Sequence, residues 1–309
     1  DTATTEIYTE TKSSAASDVY KRQVLACLVA FASATAYAEK LPLWELEGTE
    51  GQILLMGSVH FLRSSDYPLP AELDAAVAAA DTLVMEIDMD DLDPVTAQSV
   101  LTTLGTNPDG ASLQDVLGES GYAEASKLAA ELGIPLEMFA PFKPWFAALS
   151  ITQLRMIQLG FDPAWGIEAR MTERAQTEGK EVLGLEELEE QLGFMDNLDE
   201  ETQRLFLLQS LEEAAAVQDE VQSIVSAWRY GDTHTLEQLL VEGLEETPLL
   251  FDALLTERNK NWIPQIIELT QQHGNYLVIV GAMHLVGDNS VLRMLDDRGI
   301  GWRQLSTGD

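Results

Sequence analysis

Two tetrapeptides of one pattern stand at opposite ends of the chain. Gly57-Ser58-Val59-His60 follows the apolar run Ile53-Leu54-Leu55-Met56, and Gly281-Ala282-Met283-His284 follows Leu277-Val278-Ile279-Val280. Each reads as a buried strand that stops at a glycine and delivers an imidazole a few residues later. The sequence has four histidines (His60, His234, His273 and His284), and the pattern takes half of them. The copies lie too far apart for helix geometry to link them, so two strand ends that each present an imidazole suggest one shared site, most simply a metal site. Imidazole suits zinc and other transition metals, and carboxylate suits manganese and magnesium.

Carboxylates stand at comparable places. Glu86 closes the β-prone run Thr82-Leu83-Val84-Met85, and Glu186 follows the short run Glu181-Val182-Leu183-Gly184-Leu185. In parallel sheets ligands sit beyond the carboxyl ends of the strands. If these strands are neighbours, His60, His284, Glu86 and Glu186 meet at one rim. A divalent ion there lowers the pKa of bound water to about 7. A carboxylate left off the ion could serve as general base or acid.

Each residue also has a plainer role. A histidine after a strand can be a hydrogen-bonded loop residue, and only the second copy brings the ligand reading level with it. Glu86 could cap the next segment, where Asp88, Asp90, Asp91 and Asp93 crowd. Glu186 could be one more solvated acid in the run Glu186-Glu187-Leu188-Glu189-Glu190, which suits the first turn of a helix. The motif glycines suit a sharp bend from strand to loop. His234 and His273 sit in polar surroundings and read as surface residues. Neither a G-x-S-x-G elbow, an H-E-x-x-H helix nor a phosphate-cradling glycine loop is present.

The elements that must position these groups follow from periodicity. Leu43–Glu47 and Gln52–Met56, joined through Gly48 and Gly51, read as a hairpin. Pro70 opens an Ala-rich helix over 71–80, and Thr82–Ile87 returns as a strand, which implies a parallel βαβ unit. The middle reads as helical, with apolar periodicity through 113–117, 123–132, 145–159 and 205–228. There Trp145, Phe146 and Met156 read as core. The helical reading resumes over 248–272 despite Pro264, followed by a strand (276–280), the second motif, a helix (290–298) and a last strand (302–305). The expected fold is α/β, with a central mixed, largely parallel sheet flanked by helices and a mostly helical middle insertion.

The chain of 309 residues carries 52 acidic and 18 basic side chains, a formal net charge of −34. Such a surface repels nucleic acid and anionic lipid, so neither is an expected partner. Residues 24–38 read as a secretory signal peptide: Lys21-Arg22 precede an apolar run that ends in Ala36-Tyr37-Ala38. Residues 1–23 do not suit the start of such a peptide and read as a non-native leader. Cleavage after Ala38 leaves one domain over 39–309, without cysteine or membrane anchor, exported and expected in the periplasm.

Taken in order, the two GxxH motifs, Val84-Met85-Glu86-Ile87-Asp88, the stretch from Lys180 to Leu192 and Thr256-Glu257-Arg258-Asn259-Lys260-Asn261-Trp262 resemble the TraB/PrgY/GumN family, whose animal relatives are the membrane-anchored Tiki metalloproteases. The resemblance spans nearly all of 40–306. It implies an erythromycin esterase/ChaN-like fold and a metal-dependent hydrolytic site, with manganese or cobalt favoured and zinc possible, acting on a peptide or small-molecule substrate. Carried onto this chain, it makes His60, His284 and Glu86 the metal ligands and Glu86, Glu186 and Arg258 the catalytic set. Arg258 could clamp a carboxylate or developing oxyanion, or it could simply pair with acids beneath the sheet. Where the family often has Gly-Ile-Asp, this chain has Gly166-Ile167-Glu168, one carbon longer. Rival readings are a non-catalytic binder of peptide, haem or metal and a small-molecule esterase.

Overall fold

The computed structural model of the protein describes residues 39–309 apart from 91, 215–216 and 247. The signal-peptide segment 24–38 and the leader 1–23 lie outside the described residues.

Strand β1 (Lys40–Leu46) turns through Gly48 into β2 (Gln52–Ser58) as an antiparallel hairpin, with Trp44 opposite Leu55. Helix α1 (Ala71–Ala79) crosses over to β3 (Thr82–Met85). A helical stretch follows: α2 (Pro94–Gly105), α3 (Leu113–Glu131), α4 (Pro144–Gln158) and α5 (Ile167–Glu178). The chain then forms β4 (Glu181–Gly184), α6 (Leu188–Asp196), α7 (Glu200–Glu213), α8 (Val217–Arg229) and α9 (Thr233–Glu246). A short turn of helix (Pro248–Phe251) and a π-helical turn (Asp252–Thr256) lead into α10 (Glu257–Leu269). The chain closes with β5 (Asn275–Gly281), α11 (Val291–Asp296) and β6 (Trp302–Ser306).

The sheet order is β4-β3-β5-β2-β1-β6. β2, β5, β3 and β4 run parallel, and β1 is antiparallel to both β2 and β6. The βαβ unit therefore skips a place: β5, arriving from the far end of the chain, inserts between β2 and β3. Ser58 pairs with Gly281, and Met85 with both Ile279 and Gly184, so four strands end at one rim. Chain segments diverge on either side of β5 here, the kind of switch point where open α/β sheets bind ligands.

Both faces of the sheet are covered, which explains the near-continuous apolar runs of its central strands. Leu54, Met56, Leu83 and Ile279 pack on one side with Leu73, Val77, Met171 and Trp228. Ile53, Leu55, Val84 and Val278 pack on the other with Trp262, Ile266 and Leu292. Each such side chain taken fully from water contributes roughly 1.5–3 kcal/mol before entropy is counted. A separate helical core joins α3, α4 and α7 through Leu117, Ala129, Ile151 and Leu207. Trp145 and Met156 are buried core residues, as their periodicity implies.

Three details depart from the sequence reading. The apolar period over 205–228 covers parts of two elements, α7 ending at Glu213 and α8 beginning at Val217. The segment 248–272 is interrupted by the π turn, whose i→i+5 hydrogen bonds span one residue more than those of an α-helix, and that widening lies just before Arg258. The bend read at the motif glycines needs no left-handed backbone, and the glycines serve a second purpose. Gly281 has φ −50°, and a Cβ on it would stand 3.3 Å from Glu86 Oε1. A Cβ on Gly57 would lie 3.2 Å from Ala282 in the other motif. Both glycines allow close approach. No described helix is long and apolar enough to cross a membrane.

Candidate active site

Glu86 emerges from β3 directly opposite the end of β5. Its Oε1 accepts the Gly281 N–H at 2.7 Å, and its Oε2 accepts from Arg258 Nη2 at 2.6 Å and from Gln191 Nε2 at 3.2 Å. Burial works against its charge, but His284, Arg258 and His60 nearby and the Gly281 N–H outweigh it and hold the pKa at about 2.

Glu186 lies next along the rim and is also buried. Arg258 Nη2 reaches its Oε1 at 2.6 Å and Nε at 3.0 Å, while Trp262 Nε1 donates to Oε2 at 3.1 Å. Burial raises the pKa of Glu186, partly offset by Arg258. The rest of its acidic run behaves differently. Glu187 caps α6 in a reciprocal pair with Glu190, and Glu187, Glu189 and Glu190 face water.

Arg258 spends its remaining N–H groups on Leu254 O at 3.0 Å and His284 Nε2 at 3.3 Å. All five of its donors thus have protein partners. The guanidinium also lies over the Trp262 ring, 4.8 Å from its centroid. It is the counter-ion that allows two carboxylates to be buried side by side.

His284 is buried, with its ring 4.5 Å from that of Trp262. Asn259 Nδ2 donates to Asn289 O at 2.8 Å, which turns the Asn259 oxygen toward His284 Nδ1 at 2.6 Å. Nδ1 therefore carries the proton, and the lone pair of Nε2 faces Arg258 and, at 3.8 Å, Glu86 Oε1. Burial pushes the imidazole pKa down to about 3, so it is neutral.

His60 takes a different partner. Its Nδ1 lies 2.9 Å from Glu168 Oε1, and Ser58 Oγ donates to the same oxygen. The Glu168 carboxylate pushes the His60 pKa up, to about 9, although 61 % of the side chain is exposed and water screens part of that attraction. Glu168 reaches it because α5 starts against the motif loop: Ile167 N–H donates to Val59 O at 3.1 Å. A Cβ on Gly166 would stand 2.2 Å from His60 O, so only glycine allows the approach.

The rim thus brings Glu86, Glu186, Arg258 and His284 into direct contact. His60 shares a cavity of about 410 Å³ with Glu86, Glu168 and Gln191, beside an apolar wall that includes Met85, Ile87 and Met89. His234 and His273 are exposed. Ser58, which stands inside the first motif, and Glu168, Gln191 and Asn259 are site residues to which the sequence reading gave no role. Gln191 and Asn259 fall inside the stretches carrying the family resemblance, and Glu168 in its one departure.

A divalent cation suits the donor chemistry here. Glu86, Glu168 and Glu186 carry three negative charges against the one permanent charge of Arg258, and the proton on His60 makes up part of the deficit. Glu86 Oε1 and His284 Nε2 lie 3.8 Å apart, somewhat wider than the roughly 3.0–3.4 Å between neighbouring ligands of one ion with bonds of roughly 2.1 Å. Among the described residues, no three His, Cys, Asp or Glu side chains yet converge on one point. Glu86 and His284 are buried and held by their neighbours, whereas His60 is exposed.

The sequence model of the TraB/PrgY/gumN family matches residues 42–304. Similar curated proteins include one described as uncharacterized protein YbaP in Escherichia coli K12 and its namesake in Shigella flexneri. Each is 25% identical over 241 residues, which covers 78% of this chain and 86% of the relative. No solved structure matches the chain.

Proposed function

The chain belongs to the TraB/PrgY/gumN family, and from that premise and the rim geometry we propose that it is a metal-dependent hydrolase, most simply a peptidase of the bacterial envelope. The observation that carries the reading is His284: a buried, neutral imidazole whose Nδ1 proton is claimed by Asn259 and whose Nε2, which accepts from Arg258 Nη1 at 3.3 Å and would exchange that bond for an ion, lies 3.8 Å from ionised Glu86. A ligating histidine is commonly oriented through its other ring nitrogen in this way. His284 and Glu86 would hold the ion, with His60 closing the set from the exposed side. A divalent cation supplies a Lewis acid that polarises an acyl carbonyl and acidifies water.

The residues divide the remaining work by their proton affinities. Glu86, held at about 2, is a weak base and serves better as a ligand. The Glu168 carboxylate holds a proton on His60 Nδ1 in the cavity. Glu168 can take the proton of the attacking water and pass it to the leaving amine as the acyl C–N bond breaks. Arg258 and Glu186 hold Glu86 in place.

A metal-independent esterase acting on a small molecule is the second reading, favoured by Glu168, a carboxylate beside His60 in the cavity that can act as a base without an ion. Chelation separates the two. Peptide hydrolysis that vanishes with chelator and returns with manganese, cobalt or zinc, and that is absent from His284→Ala, supports the peptidase. Ester hydrolysis indifferent to chelator supports the esterase.

A further inference from the structure

A second cavity, of about 210 Å³, lies against the loop that carries His284 and shares no lining residue with the cavity of His60. Leu240 and Val286, both buried, and Phe251, Leu255 and Met283, partly buried, form its apolar walls. The π turn supplies Leu255 and Thr256, and such turns, rare in helices, recur at functional sites. Gly287, at φ +81°, brings the loop against α9: a Cβ there would stand 3.1 Å from Leu240 Cδ2. The loop already touches α9 at that point, which holds the cavity open.

Two buried polar side chains line the same cavity, and each has a hydrogen to give. Thr256 is 8 % exposed; its Oγ1 accepts a long bond from Asn289 Nδ2 at 3.5 Å and donates to no acceptor among the described residues. Asn259, 1 % exposed, spends one Nδ2 hydrogen on Asn289 O, and the other meets no acceptor among the described residues. A buried donor left unmet is costly, so both favour an acceptor oxygen within the cavity. The charged groups that line it are the exposed carboxylates of Glu237 and Asp288, without a basic side chain, and an uncharged oxygen fits these surroundings. A cavity of about 150 Å³ takes one benzene ring, and drug-sized ligands need roughly 300 Å³ or more. The space therefore suits about six to nine non-hydrogen atoms.

We infer that this cavity is a second ligand site, that it takes a small neutral carbonyl compound with an apolar ring or chain, and that its occupant is felt at His284. Asn259 joins the two places: its Oδ1 accepts from His284 Nδ1 at 2.6 Å while its side chain lines the cavity. The site stands whether or not the rim hydrolyses anything.

The test needs neither metal nor turnover. Ligand-observed NMR on the full chain, with chelator present, measures binding of three probes: acetophenone, ethylbenzene, which has nearly the same shape without the oxygen, and acetone, which has the oxygen without the ring. Both aromatic probes should bind and acetone not measurably. Thr256→Val, which removes the hydroxyl and little bulk, should weaken acetophenone about three- to tenfold and leave ethylbenzene unchanged or tighter. Val241 lines the cavity at a position 46 % exposed, so Val241→Trp can plug it without disturbing the core and should abolish binding of both. Ala164→Trp, in the cavity of His60, should change neither. Saturation with acetophenone should shift the ring signals of His284 and leave those of His60 in place. Binding of neither aromatic probe would mean a cavity that holds only water. Binding that survives Val241→Trp, that is indifferent to Thr256→Val, or that shifts His60 in place of His284 would put the probe elsewhere. Each of these results overturns the inference. Peptide and ester turnover, assayed separately, judges the hydrolase reading: a protein that binds the probes as stated yet hydrolyses nothing keeps this site and loses the proposed reaction.

Discussion

Replacing Arg258 by methionine, which keeps most of the side chain's bulk, removes the counter-charge from the rim. Glu86 Oε2 and Glu186 Oε1 each lie 2.6 Å from the same Nη2, so the two oxygens are within about 5 Å of each other. Two like charges at that distance repel by about 3 kcal/mol at an effective dielectric constant of about 20. Removing one partner of a buried ion pair costs roughly 3–5 kcal/mol overall. With a urea slope of up to about 3 kcal/mol per molar, the unfolding midpoint at pH 7 should fall by at least about 1 M. The pH dependence gives the sign. In wild type, Glu86 has a pKa of about 2 in the fold against an ordinary 4.5, so its stabilisation is present above pH 4.5 and is lost as pH falls through 2. In Arg258→Met, burial and mutual repulsion raise both carboxyls above their unfolded values. Their penalty is present at neutral pH and is relieved as protons bind. The gap between the two proteins should therefore narrow between pH 7 and pH 4, and Glu186→Gln in the Arg258→Met background should recover part of it at pH 7. The assay is urea unfolding followed by tryptophan fluorescence, with chelator present. A gap below about 1 kcal/mol at pH 7, or one unchanged by acid, would refute Arg258 as the buried counter-ion.

Other substitutions probe the two histidines separately. Asn259→Leu leaves the His284 Nδ1 proton without its buried acceptor; it should cost about 1–3 kcal/mol and weaken metal affinity about 10–100-fold, read by unfolding and calorimetry. Glu168→Gln should return the His60 pKa from about 9 toward its ordinary 6.5, seen in an NMR titration of the ring, because the carboxylate beside it is the main cause of the rise. Gly166→Ala should separate α5 from the motif loop, since its Cβ would stand 2.2 Å from His60 O. Lower stability together with loss of the His60–Glu168 coupling is the expected outcome.

Much of this site was legible because strand ends leave a trace in sequence. An apolar run, a glycine and a histidine placed His60 and His284 at one rim, and runs ending in acids placed Glu86 and Glu186 beside them. Adjacency was not legible: β5 lies between β2 and β3 only because the end of the chain returns to the middle of the sheet. Glu168 was visible as the carboxylate of Gly166-Ile167-Glu168, but its pairing with His60 was hidden because it depends on Gly166 allowing a helix to touch the His60 backbone, a contact between segments far apart in sequence. Asn259 was hidden because an asparagine acting through a histidine has no spacing of its own. The choice between a free and a committed Arg258 also waited on the structure, since only a census of its five donors decides it. The role of the motif glycines came out differently for the same reason: clearance across strands is a tertiary property.

The central claim is that His284, Glu86 and His60 hold a divalent ion. Its most direct test is elemental analysis of the purified chain equilibrated with manganese, cobalt or zinc and then freed of excess metal, for wild type, His60→Ala, His284→Ala and Glu86→Gln. The account predicts about one ion per chain in wild type and a clear loss in each variant, most complete in His284→Ala. Wild type without stoichiometric metal under all three conditions, or variants that retain as much as wild type, would contradict it.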